Sequence, residues 1–212
     1  SGLIGGNCLR YFSEQKGFNA EGTYFSYPTP GVSFYDTLNP ANPANFDIES
    51  FQPNIILHTG ALTHVDYCEQ HPKESYEKTV VSTINLLEKA VILNSFFCYI
   101  STDYVFDGSS GPYSEEDDIN PISVYGRHKW EAEELVRNTL PDRHLILRVT
   151  NVYGDEERNK NFIARLIVSS REGKEMQLRL PYDQYATPVN AWDVARALFE
   201  LVQARLSGCF HI

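Results

Sequence analysis

Two rhythms of apolar residues alternate along this chain. Residues 4–15 carry apolar side chains at helical spacing, and Gly17 to Phe25 reads as a strand. Pro28, Pro30, Gly31, Pro40 and Pro43 then punctuate a loop-rich stretch. Beyond Pro53, the run from Asn54 to His58 is short and apolar, as in a parallel strand buried on both faces. Residues 73–93 place Val80, Ile84, Leu86, Leu87 and Val91 near helical spacing. Ser95 to Ile100 predicts a further buried strand. Between Pro121 and Pro141 a helix is predicted over 123–139. His144 to Val149 reads as a strand, and 161–170 and 190–204 as helices.

Alternating short strands and helices imply an α/β fold with a parallel sheet covered on both faces. The expected class is a Rossmann-like, doubly wound parallel sheet. Gly2, Gly5 and Gly6 open the chain as a glycine turn entering a helix, and such a turn needs a strand before it. The run from Gly208 to Ile212 reads as a strand cut short. The expectation is therefore a partial dinucleotide-binding domain over 1–212. Its first strand and most of a C-terminal substrate lobe would be missing, with small contributions to that lobe around 150–188. Sheets of this kind bind ligands at the carboxyl ends of their strands. Thr59 to Asp66, Ser101 to Gly108 and Thr150 to Gly154 all follow predicted strands.

Composition narrows the function classes. With 42% apolar residues the chain can bury a sizeable core. A formal net charge of -10 argues against broad contact with nucleic acid or anionic lipid. It leaves open a small phosphate site built from backbone amides. Cys8, Cys68, Cys98 and Cys209 form no closely spaced pair, which fits a reduced, cytoplasmic protein. No apolar run reaches the ~18 residues needed to span a bilayer, and no basic-then-apolar leader is present. His58 and His64 are not at a metal-binding spacing, so no metal is expected. His128 is expected to be solvated on its helix and Glu115 to Asp118 to form a solvated loop. Trp130 and Trp192 read as packing residues.

Three elements carry chemistry. Gly2 and Gly5 permit close backbone approach at a helix start, where free N–H groups favour phosphate. Tyr125 and Lys129 are four residues apart and share one helix face. A nearby ammonium favours phenolate; lowering a tyrosine from ~10 towards 7 needs roughly 4 kcal/mol of differential interaction. Tyr125 would then donate a proton near neutral pH. Thr102, following a buried strand, offers a hydroxyl to a carbonyl oxygen. Taken singly, each also reads as ordinary structure: a glycine turn, a solvated helix face, a polar loop.

The block from Ser101 through Asp107 and Gly108, then Gly111 to Glu116, then Val124 to Lys129, closely resembles the dTDP-4-dehydrorhamnose reductase family of extended short-chain dehydrogenases. The segments Leu57–Glu69 and Asp183–Pro188 are similar to further parts of that family, so the match runs nearly end to end. The resemblance implies an NAD(P)H-dependent oxidoreductase acting on a nucleotide-linked 4-keto sugar. It makes Tyr125 the acid, Lys129 its modulator and Thr102 the carbonyl-orienting hydroxyl. Gly2 and Gly5 would lie under the pyrophosphate, Asp36 at the adenine, and Ala61, Leu62 and Thr63 along the nicotinamide ribose. Asp103, Tyr104 and Asn151 would border the sugar. A homodimer is one assembly considered.

Three positions depart from the family's pattern. Asn151 stands where reductases of the rhamnose precursor usually carry Trp, which leaves the sugar open. Thr79 replaces a common Asn, and Gly60 a usual Ala. Residues 23–27 hold neither an acid for the NAD ribose nor an Arg for a 2′-phosphate. The missing acid leans the choice between NAD and NADP towards NADP. The sequence also resembles the regulatory beta subunits of methionine adenosyltransferase, which bind NADP without turnover. An epimerase or dehydratase on the same scaffold is the third reading.

Overall fold

The computed structural model describes residues 2–156, 161–175, 177–178 and 183–212. Its main sheet has four strands, β3 (Ile55–His58), β4 (Phe96–Thr102), β5 (His144–Val149) and β6 (Gly208–His211). They lie side by side in that order and all run parallel. A separate two-stranded parallel ribbon joins β1 (Thr23–Tyr24) to β2 (Ser33–Phe34). Register pairs His58 with Tyr99 and Thr102 with Val149, so the carboxyl ends of β3, β4 and β5 share one edge.

The side-chain alternation of a strand decides what each face of the sheet meets. In β4, Cys98 and Ile100 point to one face, where α1 (Leu3–Ser13) contributes Cys8 and α8 (Ala191–Gln203) contributes Val194, Ala195 and Leu198. Leu145, Leu147 and Val149 of β5 join that cluster. Phe97, Tyr99 and Ile146 point the other way, against Leu86, Leu87 and Ala90 of α5 (Ser82–Ile92) and Ala132 and Val136 of α6 (Val124–Thr139). Helices thus cover both faces, the doubly wound layering expected from the sequence. Tyr35, just past β2, is buried in the α5/α6 cluster. Thr37 bonds Ser82 Oγ at 2.8 Å and Asn85 Nδ2 at 2.7 Å, fixing the ribbon to α5.

The predicted strand over 17–25 shrinks to Thr23–Tyr24, and the proline-rich stretch contains β2. The short helices α2 (Ile48–Phe51) and α3 (Val65–Gln70) were not foreseen. Each is too short for a repeating apolar pattern, and each is started by a side-chain cap, Asp47 or His64. The single helix expected over 73–93 is three pieces: α4 (Pro72–Tyr76), a π-turn (Glu77–Val81) and α5. β4 runs two residues further than predicted, so Ser101 and Thr102 belong to the strand. Asn161 and Asn190 are caps, starting α7 (Phe162–Arg171) and α8. Of the lobe expected around 150–188, residues 157–160, 176 and 179–182 lie outside the described residues. No helix among the described residues is long and apolar enough to cross a membrane.

Candidate active site

β4 delivers Thr102 to the sheet edge. Its Oγ1 accepts from Tyr104 N (3.2 Å) and donates to Asp103 Oδ1 (3.1 Å), starting a 3-10 turn over Asp103–Val105. α6 begins nearby with Ser123, whose Oγ accepts from Gly126 N at 3.0 Å. Glu69 of α3 accepts from Val124 N at 2.5 Å and holds this helix start in place. Gly126 explains how the turn and the helix come so close. A Cβ built there would lie 2.1 Å from Tyr104 O. Only glycine lets that carbonyl pass over the helix, and the passage brings Tyr104 to Tyr125, ring edge against face at 5.7 Å.

Tyr125 is buried near the Thr102 hydroxyl. Burial pushes its pKa up from the usual tyrosine value; the Thr102 hydroxyl pulls the other way and loses. This corrects the expectation that Lys129 holds the phenol down. Lys129 is itself buried, with Nζ donating to Ile100 O at 2.6 Å and lying 4.0 Å from the centre of the Tyr99 ring. Burial lowers its pKa to about 7 against the opposing charge of Glu133. Near neutral pH the amine therefore carries only part of a charge, and loss of water around the phenol dominates.

The loop after β3 closes this end. The Cys68 thiol of α3 donates to Leu62 O at 3.5 Å. Ala61, Leu62 and Thr63 lie in the loop between β3 and α3. Gly5 faces this loop rather than open space: a Cβ on it would meet Thr59 Oγ1 at 2.7 Å. Its role is to let α1 sit close to the end of β3. Gly2 has φ 127°, a conformation that favours glycine, and starts α1 with no side-chain cap and no acid in the first turn. The helix start keeps its N–H groups and its positive end for an anion.

Thr102, Tyr125, Lys129, Asp103 and Tyr104 are brought together. Asp36 is apart from them, past β2, with Oδ1 accepting from Leu38 N at 2.9 Å. Asn151 is exposed at φ 41°. One expectation fails. His128 is half-buried and bonded through Nδ1 to Ser75 Oγ (2.8 Å), so it is not solvated on its helix. Glu115 to Asp118 are exposed as expected, and Glu115 accepts from His211 N (2.7 Å). Among the described residues no group of three or more His, Cys, Asp or Glu side chains could hold a metal ion. His58 was weighed in the sequence only as a metal ligand, and Gly126 and Glu133 were passed over. A glycine inside a helix costs about 1 kcal/mol, so Gly126 was itself a sign of close backbone approach. Glu133, one turn beyond Lys129, could have been flagged by its i,i+4 spacing.

Residues 18–212 match the family model described as RmlD substrate binding domain. The chain belongs to that family. Across its whole length it is 31% identical to methionine adenosyltransferase 2 subunit beta of Bos taurus, spanning 64% of that protein. Over 76% of its length it is 36% identical to dTDP-4-dehydrorhamnose reductase of Aggregatibacter actinomycetemcomitans, spanning 53% of it. The crystal structure of dTDP-4-dehydrorhamnose reductase from Bacillus anthracis in complex with NADP matches 78% of this chain. It does so with a TM-score of 0.71 and 27% identity, and 58% of that chain is covered. The chain thus spans roughly half to two thirds of these proteins.

Proposed function

We propose that this chain forms the nucleotide-binding and proton-donating part of an NAD(P)H-dependent reductase of a nucleotide-linked keto sugar. One observation carries the reading. A buried phenol, Tyr125, lies close enough to the buried strand-end hydroxyl of Thr102 for that hydroxyl to lower its proton affinity, with the Lys129 amine one helical turn along. The uncapped, acid-free start of α1 behind Gly2 fits the pyrophosphate of a dinucleotide. A bound nicotinamide would supply the hydride. The remaining work belongs to this chain's side chains. Thr102, turning its one proton from Asp103 Oδ1, and Tyr125 both donate to the carbonyl oxygen and stabilise the charge that develops there. Tyr125 delivers the proton; its raised pKa keeps it protonated at neutral pH, as a donor must be. Exposed Tyr104 and Asp103 offer a ring and a carboxylate to the sugar.

The test uses the full-length protein with dTDP-linked 4-keto sugars. Tyr125→Phe is expected to lower the rate of NADPH oxidation by about 10²–10⁴-fold while NADPH still binds. Equal turnover in both proteins removes Tyr125 from the chemistry. A second reading is favoured by the whole-chain match to the methionine adenosyltransferase subunit. On that reading the chain binds NADP as an accessory to a synthetase. It predicts NADPH binding with no sugar-dependent oxidation and a catalytic synthetase subunit retained on co-purification.

A further inference from the structure

His58 closes β3 and is 3% exposed. Its imidazole packs on Tyr99 at 5.7 Å between centroids and on Phe97 at 6.2 Å. From above it is covered by Gly60, where an added Cβ would stand 3.3 Å from His58 Cε1. The imidazole occupies space that an alanine at position 60 would press against. His58 Nε2 is buried without a hydrogen-bond partner among the described residues, as are Thr79 Oγ1, Tyr99 Oη and Ser101 Oγ. Buried polar atoms left unpaired are rare in folded proteins. Lys129 Nζ lies over the same Tyr99 ring that His58 packs against, and its charge bears on His58. An ammonium has three N–H donors, and Ile100 O takes one of them.

We propose that His58 is a positioning residue for Lys129. Its Nε2 accepts a hydrogen bond from the Lys129 ammonium, directly or through one water, when the amine turns from Ile100 O towards a ligand. This rests on the proposed function, in which Lys129 stands one helical turn from Tyr125 at the nucleotide site. The space holds one positive charge at a time. Burial takes His58 down to about 3, with the Lys129 charge pushing the same way, so the imidazole stays neutral while Lys129 titrates near 7. The other ionisable groups around the pair are Tyr99 on β4 and Tyr125 and Glu133 on α6; the π-turn contributes only uncharged Thr79. Glu133 adds a negative charge that favours the ammonium, and Arg148 and Arg137 pair with that same carboxylate.

The experiment follows the His58 ring nitrogens by ¹⁵N NMR of histidine-labelled full-length protein from pH 5 to 9. The expected signal is that of a neutral imidazole moving through one transition near pH 7, a transition absent in Lys129→Met. The pH midpoint of NADPH affinity is expected to fall by about one unit in His58→Leu and to hold within about 0.3 unit in His58→Asn, which keeps an acceptor. Should His58→Leu not fold, the wild-type spectrum decides alone. A His58 signal flat through pH 7 in protein that binds NADPH overturns the proposal. Wild-type protein that does not bind NADPH at all counts instead against the proposed function.

Discussion

The two faces of the main sheet are built from different materials. Against α1 and α8 the sheet presents Cys98, Ile100, Leu145, Leu147 and Val149, and the helices answer with Cys8, Val194, Ala195 and Leu198. Against α5 and α6 the same strands interleave Phe97, Tyr99 and Ile146 with His58, Ser101 and Arg148. Arg148 is 3% exposed and meets Glu133, which is fully buried, through two bonds of 3.0 and 2.7 Å. Arg137 adds a third bond to Glu133 at 3.1 Å. One face is held mainly by apolar contact and, among the described residues, buries no charged side chain. The other carries ionisable groups that cannot reach water and survives because they pair. Tyr125 and Lys129 lie on the second face, on α6, where perturbed proton affinities arise from burial.

Replacing one member of the buried pair tests this contrast most severely. Glu133→Ala strands the Arg148 charge and is expected to cost about 3–5 kcal/mol in denaturant unfolding. A loss under ~1 kcal/mol would mean that water reaches Arg148. On the apolar face, Leu147→Ala is expected to cost about 2–5 kcal/mol, with the same loss at pH 5 and pH 8. A pH-dependent loss there would erase the distinction between the faces. Gly126→Ala sharpens the picture of the site itself. The new methyl must displace the Tyr104 carbonyl, at an expected cost of about 1–3 kcal/mol with loss of the Tyr104–Tyr125 contact, read by near-UV circular dichroism.

Per pH unit the effects are smaller, at most ~1.4 kcal/mol, and should appear as slopes of stability against pH. For His58 the folded-state pKa lies at about 3, below the usual 6.5, so the unfolded chain takes up the proton first. Stability is therefore lost as pH falls from 6.5 towards 3, and His58→Asn should flatten that limb. For Lys129 the folded value of about 7 lies below 10.5. The unfolded chain again holds more proton, so stability rises from pH 7 to 10.5. Lys129→Met should remove that rise. Urea midpoints measured across the range check both slopes.

Much of this arrangement was legible without coordinates. Long apolar runs such as residues 96–100 and 144–149 mark strands buried on both faces, because no solvent face breaks their pattern. The i,i+4 spacing of Tyr125 and Lys129 also places them on one helix face whatever surrounds them. β1, β2 and α3 were illegible or misplaced because elements of two to six residues carry too few positions for a period.

The sequence by itself determined the order of strands and helices, the layering of the sheet, and the local pairing of phenol and amine. These follow from short-range spacing and from which residues avoid water. The tertiary structure alone decided the electrical state of that pair. It set Lys129 on the Tyr99 ring, wedged His58 beneath Gly60 and sealed Tyr125 behind Thr102 and Tyr104. Proton affinity depends on distance to water and to other charges, and those distances exist only once residues far apart in the chain are packed together.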